Sequence, residues 1–396
     1  MKFINVKQNK DVFGDGIHDD TKALQTCIDE LKDGGTVYFP DGTYLVSGAL
    51  IFYSYQNLKF SDNAIILRSD KSEPLTRYLL ASYSEPEWGE YTGTHDVVIS
   101  GGIFDGNKNL DERITLVNTV HCSNITIENC RFRHCAHWHC IEINGTENTT
   151  IQNCFFDGPS YTVIDDRLYN EQIQLDLARE GSYGPVYNCD GTLIDFKSDD
   201  TVCRNIVIRN NIFKCDGFPG VGHHGDIDHH NILIENNIFD GPSYTFKTDN
   251  LFNEQIQLDM SRHGSYGPVY NCDGTLIDFK SDDTVCRNIV IRNNIFKCDG
   301  FPGVGHHGDI DHHNILIENN IFDGPSGRIG KSRGYIFFRP MVYDLKVKNN
   351  AFISPTETDS PSYGIILENS DANALTAEGN VFIGKMDKEV IVGNLL

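Results

Sequence analysis

Two short stretches set acid groups among amides in a way that suits acid–base chemistry. In HCIEING (residues 139–145) Glu142 stands between Ile141 and Ile143, and in NEQIQLD (170–176) Gln172, Gln174 and Asp176 alternate with Ile173 and Leu175. A second NEQIQLD (253–259) offers Gln255, Gln257 and Asp259 in the same way. Alternation with period two is a strand with unlike faces. The isoleucines and leucines therefore point to a core, while Cys140, Glu142, Asn144, the glutamines and the aspartates point away from it. Amides and carboxylates in outward rows are what a sugar-binding groove needs, as hydroxyl partners and as acid and base. A glycosidic bond takes two carboxyl groups, ~5 Å apart for retention or ~6.5–9.5 Å for inversion. Groups on neighbouring strands lie ~4.8 Å apart, so Glu142 and Asp176 are within reach of such a pair. The same rows read equally well as an ordinary solvated strand face.

Other side chains are candidates by type. Asp190 in YNCDGT, with its second copy Asp273, sits in a Gly- and Tyr-flanked loop that could close over a groove. GVGHHGDIDHHN occurs at 220–231 and at 303–314, carrying His223, His224, His306 and His307. Its four His and two Asp fit a turn-rich polar loop, a groove wall, or a transition-metal site, since imidazole favours such metals. No metal and no cofactor is assigned. Trp138 in HCAHWHC is either a stacking face for a sugar ring or an anchor under a loop. Arg339 in YIFFRP offers a rigid donor fork to a carboxylate or to sugar hydroxyls, or pairs with an Asp at the rim.

The elements that must position these groups are announced by one recurring phrase: NITIENCRF, NTTIQNCFF, NIVIRNNIF, NILIENNIF, the last two again, then DLKVKNNAF. Each is a short alternating strand that turns at Asn-Asn or Asn-Cys and closes on Phe. Asn suits the corner because it tolerates the left-handed conformation. The phrases begin 26 residues apart from Asn205 to Asn231 and 57 apart, about two such units, from Asn231 to Asn288, and recurrence at this period is the mark of a solenoid. No leucine-rich or four-strand propeller pattern is present, which leaves an all-β, right-handed parallel β-helix. Near the N-terminus Ala23, Leu24, Cys27, Ile28 and Leu31 lie on one side of an amphipathic helix, with Asp19 and Asp20 at its start. Such a helix can cover the bare strand edges at the solenoid's end.

The opening segment, GDGIHDDTKALQTCIDELKDGGTVYFPDGTYLVSGALIF, resembles that of the pectate-lyase-like β-helix superfamily, which includes polygalacturonases and polysaccharide depolymerases. The Asn-turn rungs, HCIEING, NEQIQLD and GVGHHG carry the resemblance farther along. It implies action on a polysaccharide. GHHG is similar to the Gly-His-Gly motif of polygalacturonases, which would give its role to His223 or His224, and to His306 or His307. The Asn-Thr-Asp and Arg-Ile-Lys signatures are missing from the expected contexts, and SDD at 198–200 only faintly matches the paired Asp. The reading is a glycoside hydrolase of a neutral or weakly acidic polysaccharide, with a polysaccharide lyase or a non-catalytic glycan-binding scaffold as alternatives.

Bulk properties narrow the rest. A formal charge of −23 argues against nucleic acid. No apolar run is long enough to span a bilayer. The first residues lack the apolar segment of a secretory leader, so the expectation is a cytoplasmic chain or a secreted one with its leader removed. The twelve Cys are not in CxxC pairs, and Cys130 and Cys154 occupy equivalent turns, which predicts buried free thiols in register. The chain reads as one β-helix domain over 1–396, with a cap at 1–50 and closing rungs at 323–396. Between them residues 157–239 and 240–322 align without a gap, as two repeat units. They differ only at Val163/Phe246, Ile164/Lys247, Asp165/Thr248, Arg167/Asn250, Tyr169/Phe252, Leu177/Met260, Ala178/Ser261 and Glu180/His263. Such identity predicts a recent or engineered duplication of about three rungs, ~14 Å of added length. It also predicts two incomplete half-sites, so that removing one copy raises activity. The oligomeric state is not legible.

Overall fold

The repeated phrase folds as a corner between two strands. In the computed structural model, Asn124, Asn148, Asn205, Asn231, Asn288 and Asn314 enter the first strand with φ between 50° and 58°. Asn129, Asn153, Asn210, Asn236, Asn293, Asn319 and Asn349 leave it in the same left-handed region. Short polar side chains reach this region at low cost, so the corner is encoded locally. The structure describes residues 2–70, 77–110, 114–136, 138–158, 171–179, 186–188, 191–215, 220–223, 229–241, 255–258, 286–298, 302–306, 312–326, 334–338, 342–355 and 363–393.

The chain divides into two units, Met1–Ile206 and Val207–Leu396, each a right-handed parallel β-helix. In the first unit a coil visits three sheets in turn: Ser123–Glu128, then Arg131–Arg133, then Ile141–Asn144, before Glu147–Gln152 begins the next coil beside Ser123–Glu128. Neighbouring coils pair in parallel, Phe132 on Phe156 and Ile143 on Leu175. One interior row stacks Phe39, Phe60, Phe104, Phe132 and Phe156, with centroids 4.3–5.3 Å apart. The helix Thr21–Asp29 buries Leu24, Cys27 and Ile28 against the edge strand Leu50–Phe52. Its Gln25 amide accepts from the Ile51 N–H and donates to the Ile51 carbonyl, standing in for a missing strand.

The second unit repeats the plan with a different corner. Phe213, Phe239, Phe296, Phe322, Phe352 and Phe382 stack. Beside them runs a buried ladder of Asn211, Asn237, Asn294, Asn320, Asn350 and Asn380. Each backbone N–H and side-chain amide donates to the side-chain carbonyl of the next coil's Asn. In the first unit the equivalent turns hold Cys130 and Cys154, one coil apart, and all ten described cysteines are buried and free.

Two expectations are corrected. The 57-residue spacing from Asn231 to Asn288 is one coil, because these residues hydrogen-bond directly and their strands pair. A repeat unit is therefore two coils, not three rungs: the NEQIQLD strands are the third sides of the coils that begin with NTTIQN and NILIENN, and NIVIRNN begins the coil that follows. The second correction concerns the polar face of HCIEING and NEQIQLD, which is not solvated. Ile141–Asn144 and Ile173–Asp176 are buried at every residue.

Candidate functional site

Glu142 lies on the third sheet of the first unit, opposite Asn118 on one neighbouring strand and Gln174 on the other. Asn144 likewise faces Asp176. These partners come from strands whose alternate residues, Ile141, Ile143, Ile173 and Leu175, are fully buried in the core. Glu142 is 3 % exposed, and its carboxyl is pushed up to about 8, by burial first and by the charge of Asp176 second. The Thr115 hydroxyl donates to Glu142 Oε2 over 3.2 Å and, with the amides of Asn144 and Asn118, opposes the shift. Those two amides flank the carboxyl, yet none of their four polar atoms makes a hydrogen bond of good geometry. Asp176 is bonded as a carboxylate would be: the Leu177 N–H donates to Oδ1 over 2.7 Å and the Gln174 amide to Oδ2 over 2.9 Å. An acid whose burial favours its protonated form thus stands next to an aspartate whose two oxygens each accept an N–H bond, which is the division of labour that acid–base catalysis uses.

The outer face of this sheet is roofed. Val186–Tyr187 and Leu193–Ile194 form an antiparallel pair, and Val186, Ile194 and Phe196 bury against Ile51, Ala81, Val120 and Ala178. His121, fully buried, ties the roof down. Its Nδ1 lies 2.7 Å from the Glu90 carbonyl oxygen and its Nε2 2.7 Å from that of Lys197. The Asp199 carboxylate, 3.7 Å from Nε2, also accepts the Glu90 N–H. Trp138 is half-buried at the edge of the roof, with the Arg77 guanidinium 5.0 Å from its ring centroid, so one face is already occupied. Nearby His139 points Nδ1 at the Glu171 carbonyl oxygen, 2.8 Å away, and at the Glu171 carboxylate, 3.5 Å away.

The sequence candidates separate accordingly. Glu142, Asp176 and Gln174 come together, and Gln172, also buried, accepts the Ile141 N–H through its backbone carbonyl. Gln255 is in the second unit, where its amide donates to the carbonyl oxygens of Lys297 and Phe239 and so joins coils. His223 and His306 end strands that pair on either side of Ile256–Leu258, with Leu258 between them; Gln257 pairs with Gly222 and Gly305. Asp190, His224, Asp259, Asp273, His307 and Arg339 lie outside the described residues. Reading by residue type missed Asn118, Thr115 and His121. Asn118 was visible as a lone amide inside the apolar run TLVNTV.

The model of the family described as "Rhamnogalacturonase A/epimerase, pectate lyase-like" matches residues 3–324. A curated protein of Streptococcus pneumoniae, plasmin and fibronectin-binding protein A, is 32 % identical over 224 residues; the match covers 50 % of this chain and 30 % of that protein. The chain thus spans about a third of the length of this relative. The solved structure of the S. pneumoniae surface protein and adhesin PfbA superposes with a TM-score of 0.67 at 21 % identity, covering both chains in full. A hyperthermoactive exopolygalacturonase from Thermotoga maritima gives 0.59 at 15 % identity, over 97 % of this chain and 92 % of that one. At these identities the two structures speak for the fold alone. Together with the coil geometry, the family match identifies the chain as a member of the pectate lyase-like rhamnogalacturonase A/epimerase family, a carbohydrate-active group of parallel β-helices.

Proposed function

We propose that the protein is a glycoside hydrolase acting on a polysaccharide, with Glu142 as general acid and Asp176 as its anionic partner. The observation that supports this most is the pairing itself: a carboxyl pushed up to about 8 beside an aspartate whose oxygens both accept N–H bonds. A general acid must hold its proton at neutral pH and release it to the leaving oxygen. Burial and a neighbouring carboxylate arrange that for Glu142. Asp176 on the next coil then serves as nucleophile or as base for water. Glu142 and Asp176 are both buried, so what covers them must move for a chain of sugars to enter, and its return excludes water from the reacting bond. Incubation with a panel of plant and bacterial polysaccharides, read as released reducing ends, tests this. The wild-type chain should release sugar from at least one of them and Glu142→Gln should not; inertness across the panel would remove the hydrolase reading.

A second reading has one observation in its favour. The curated relative is named for binding plasmin and fibronectin, and it shares more identity with this chain than the exopolygalacturonase does. On that reading the chain is a non-catalytic binding protein with a buried acid pair as structural remnant. Saturable glycan or protein binding without turnover selects it.

A further inference from the structure

The second sheet of the second unit turns a simple pattern outward. Its strands Ile212–Lys214, Ile238–Asp240, Ile295–Lys297 and Ile321–Asp323 pair in register, and the middle Phe of each is buried in the core row. The residues on either side of each Phe therefore face away from the core. One outward row is Ile212, Ile238, Ile295 and Ile321, and the other is Lys214, Asp240, Lys297 and Asp323. On the next two coils Ala351 and Val381 extend the first row, and Ile353 and Ile383 the second. Ile212, Ile321, Val381 and Ile383 are 37–54 % exposed. Aliphatic side chains in file on successive strands differ from apolar residues scattered singly over a surface, and they mark a contact face.

The charges indicate what the face meets. Along the second row the sign alternates, Lys, Asp, Lys, Asp, because a pair of coils carrying one of each is present twice. Turned end for end, the row has the opposite sign at every position. A second copy related by a two-fold axis between the coils of Asp240 and Lys297 would set Lys214 against its Asp323 and Asp240 against its Lys297. The same rotation lays Ile212 on Ile321 and Ile238 on Ile295. Two copies lying side by side in the same direction would set Lys on Lys and Asp on Asp, which opposes association. Within one chain Asp240 pairs with Lys214 and, over 3.3 Å, with Lys297. Those contacts hold the charges in place, while the side chains of Lys214 and Lys297 stay 41 % and 55 % exposed and open to a second set of acids.

We propose that this face joins two copies of the chain, antiparallel, in a reversible dimer. The four charged coils span ~14 Å between their outer strands, a smaller contact than the ~800 Å² per partner of a stable complex. The dissociation constant should therefore be weak, on the order of 10⁻⁴ M.

The test is sedimentation equilibrium of the full chain, up to about 1 mM and at about 0.15 M ionic strength, where repulsion between two chains of charge −23 is screened. The wild-type chain should dimerise, and Lys297→Asp and Asp240→Lys should each weaken the dimer at least about fivefold. Combined in one chain, the two reversals make the row Lys, Lys, Asp, Asp. This destroys the alternation within a chain but keeps every pairing between copies opposite in sign, so affinity should return to within about twofold of wild type. Lys214→Asp with Asp323→Lys gives an independent swap with the same expectation, should the first pair disturb folding as read by circular dichroism. Ile321→Ser should weaken the dimer as well, since it removes the apolar contact with Ile212. A chain that stays monomeric throughout the range overturns the proposal. So does a dimer indifferent to the single reversals, which would place the contact elsewhere, or one that folded double swaps fail to restore.

Discussion

Glu142 is the residue whose protonation the fold controls most clearly. Its pKa rises from 4.5 in the unfolded chain to about 8 in the folded one, so the folded protein holds the extra proton between those values. The associated stability is fully present below pH 4.5 and is lost as pH rises through 8. Wild-type protein should lose roughly 3 °C or more of melting temperature relative to Glu142→Gln between pH 6 and pH 9, measured by parallel thermal melts. The same substitution should lower turnover by about 10²–10⁴ if Glu142 is the acid. His312 behaves oppositely. Burial drives its pKa from 6.5 down to about 3, and its Nδ1 accepts the Cys286 N–H, so the neutral ring belongs to the fold. That contribution is intact above pH 6.5 and declines as pH falls towards 3. His312→Gln should flatten the acid side of a melting-temperature profile compared with wild type.

Among the elements, the Asn ladder of the second unit carries the sharpest prediction. Asn294 accepts two bonds from Asn237, donates to Asn320 and donates to the Ile234 carbonyl. Asn294→Ala leaves those buried groups unpaired and should cost about 1–3 kcal/mol, read by denaturant titration. Asn288→Gly, which keeps the left-handed corner while removing the exposed ladder bonds to Asn231 and Asn314, should cost less, under about 1 kcal/mol. The contrast also shows what was legible in the sequence. The Asn corners, the Phe row, the helix over the first edge and the in-register thiols are local signals, each written within one coil. The coil count was not, because a 57-residue spacing looks like two units of 26 although Asn231 and Asn288 are neighbours on adjacent coils. The burial of Glu142 was not legible either. Its strand alternates as a half-solvated strand should, and the residues that roof its sheet, Val186, Ile194 and Phe196, come from far along the chain.

On the scale of the whole chain, the acid pair and the groups described around it lie within Met1–Ile206. A chain lacking residues 240–322 loses two complete coils and joins Phe239 to Asp323, which restores the strand sequence Ile-Phe-Asp. The sequence alone pointed to a more active shortened protein. With the pair confined to the first unit, the expected outcome is turnover within about twofold of the full chain, because separated sites act independently. Specific activity of the two purified chains on one substrate decides between them. The identity of the copies has a further effect, on how the chain finds its fold. Ala351–Ile353 docks on Ile321–Asp323, but Ile238–Asp240 presents the same residues and is preceded by the same ladder asparagine. To the incoming strand these are two identical addresses. Docking at the earlier one leaves residues 241–323 outside as a single large loop, with every later coil correctly formed. Refolding from denaturant therefore divides between a full-length stack and one shorter by two coils, and the second can reach the first only by unzipping everything C-terminal to the error.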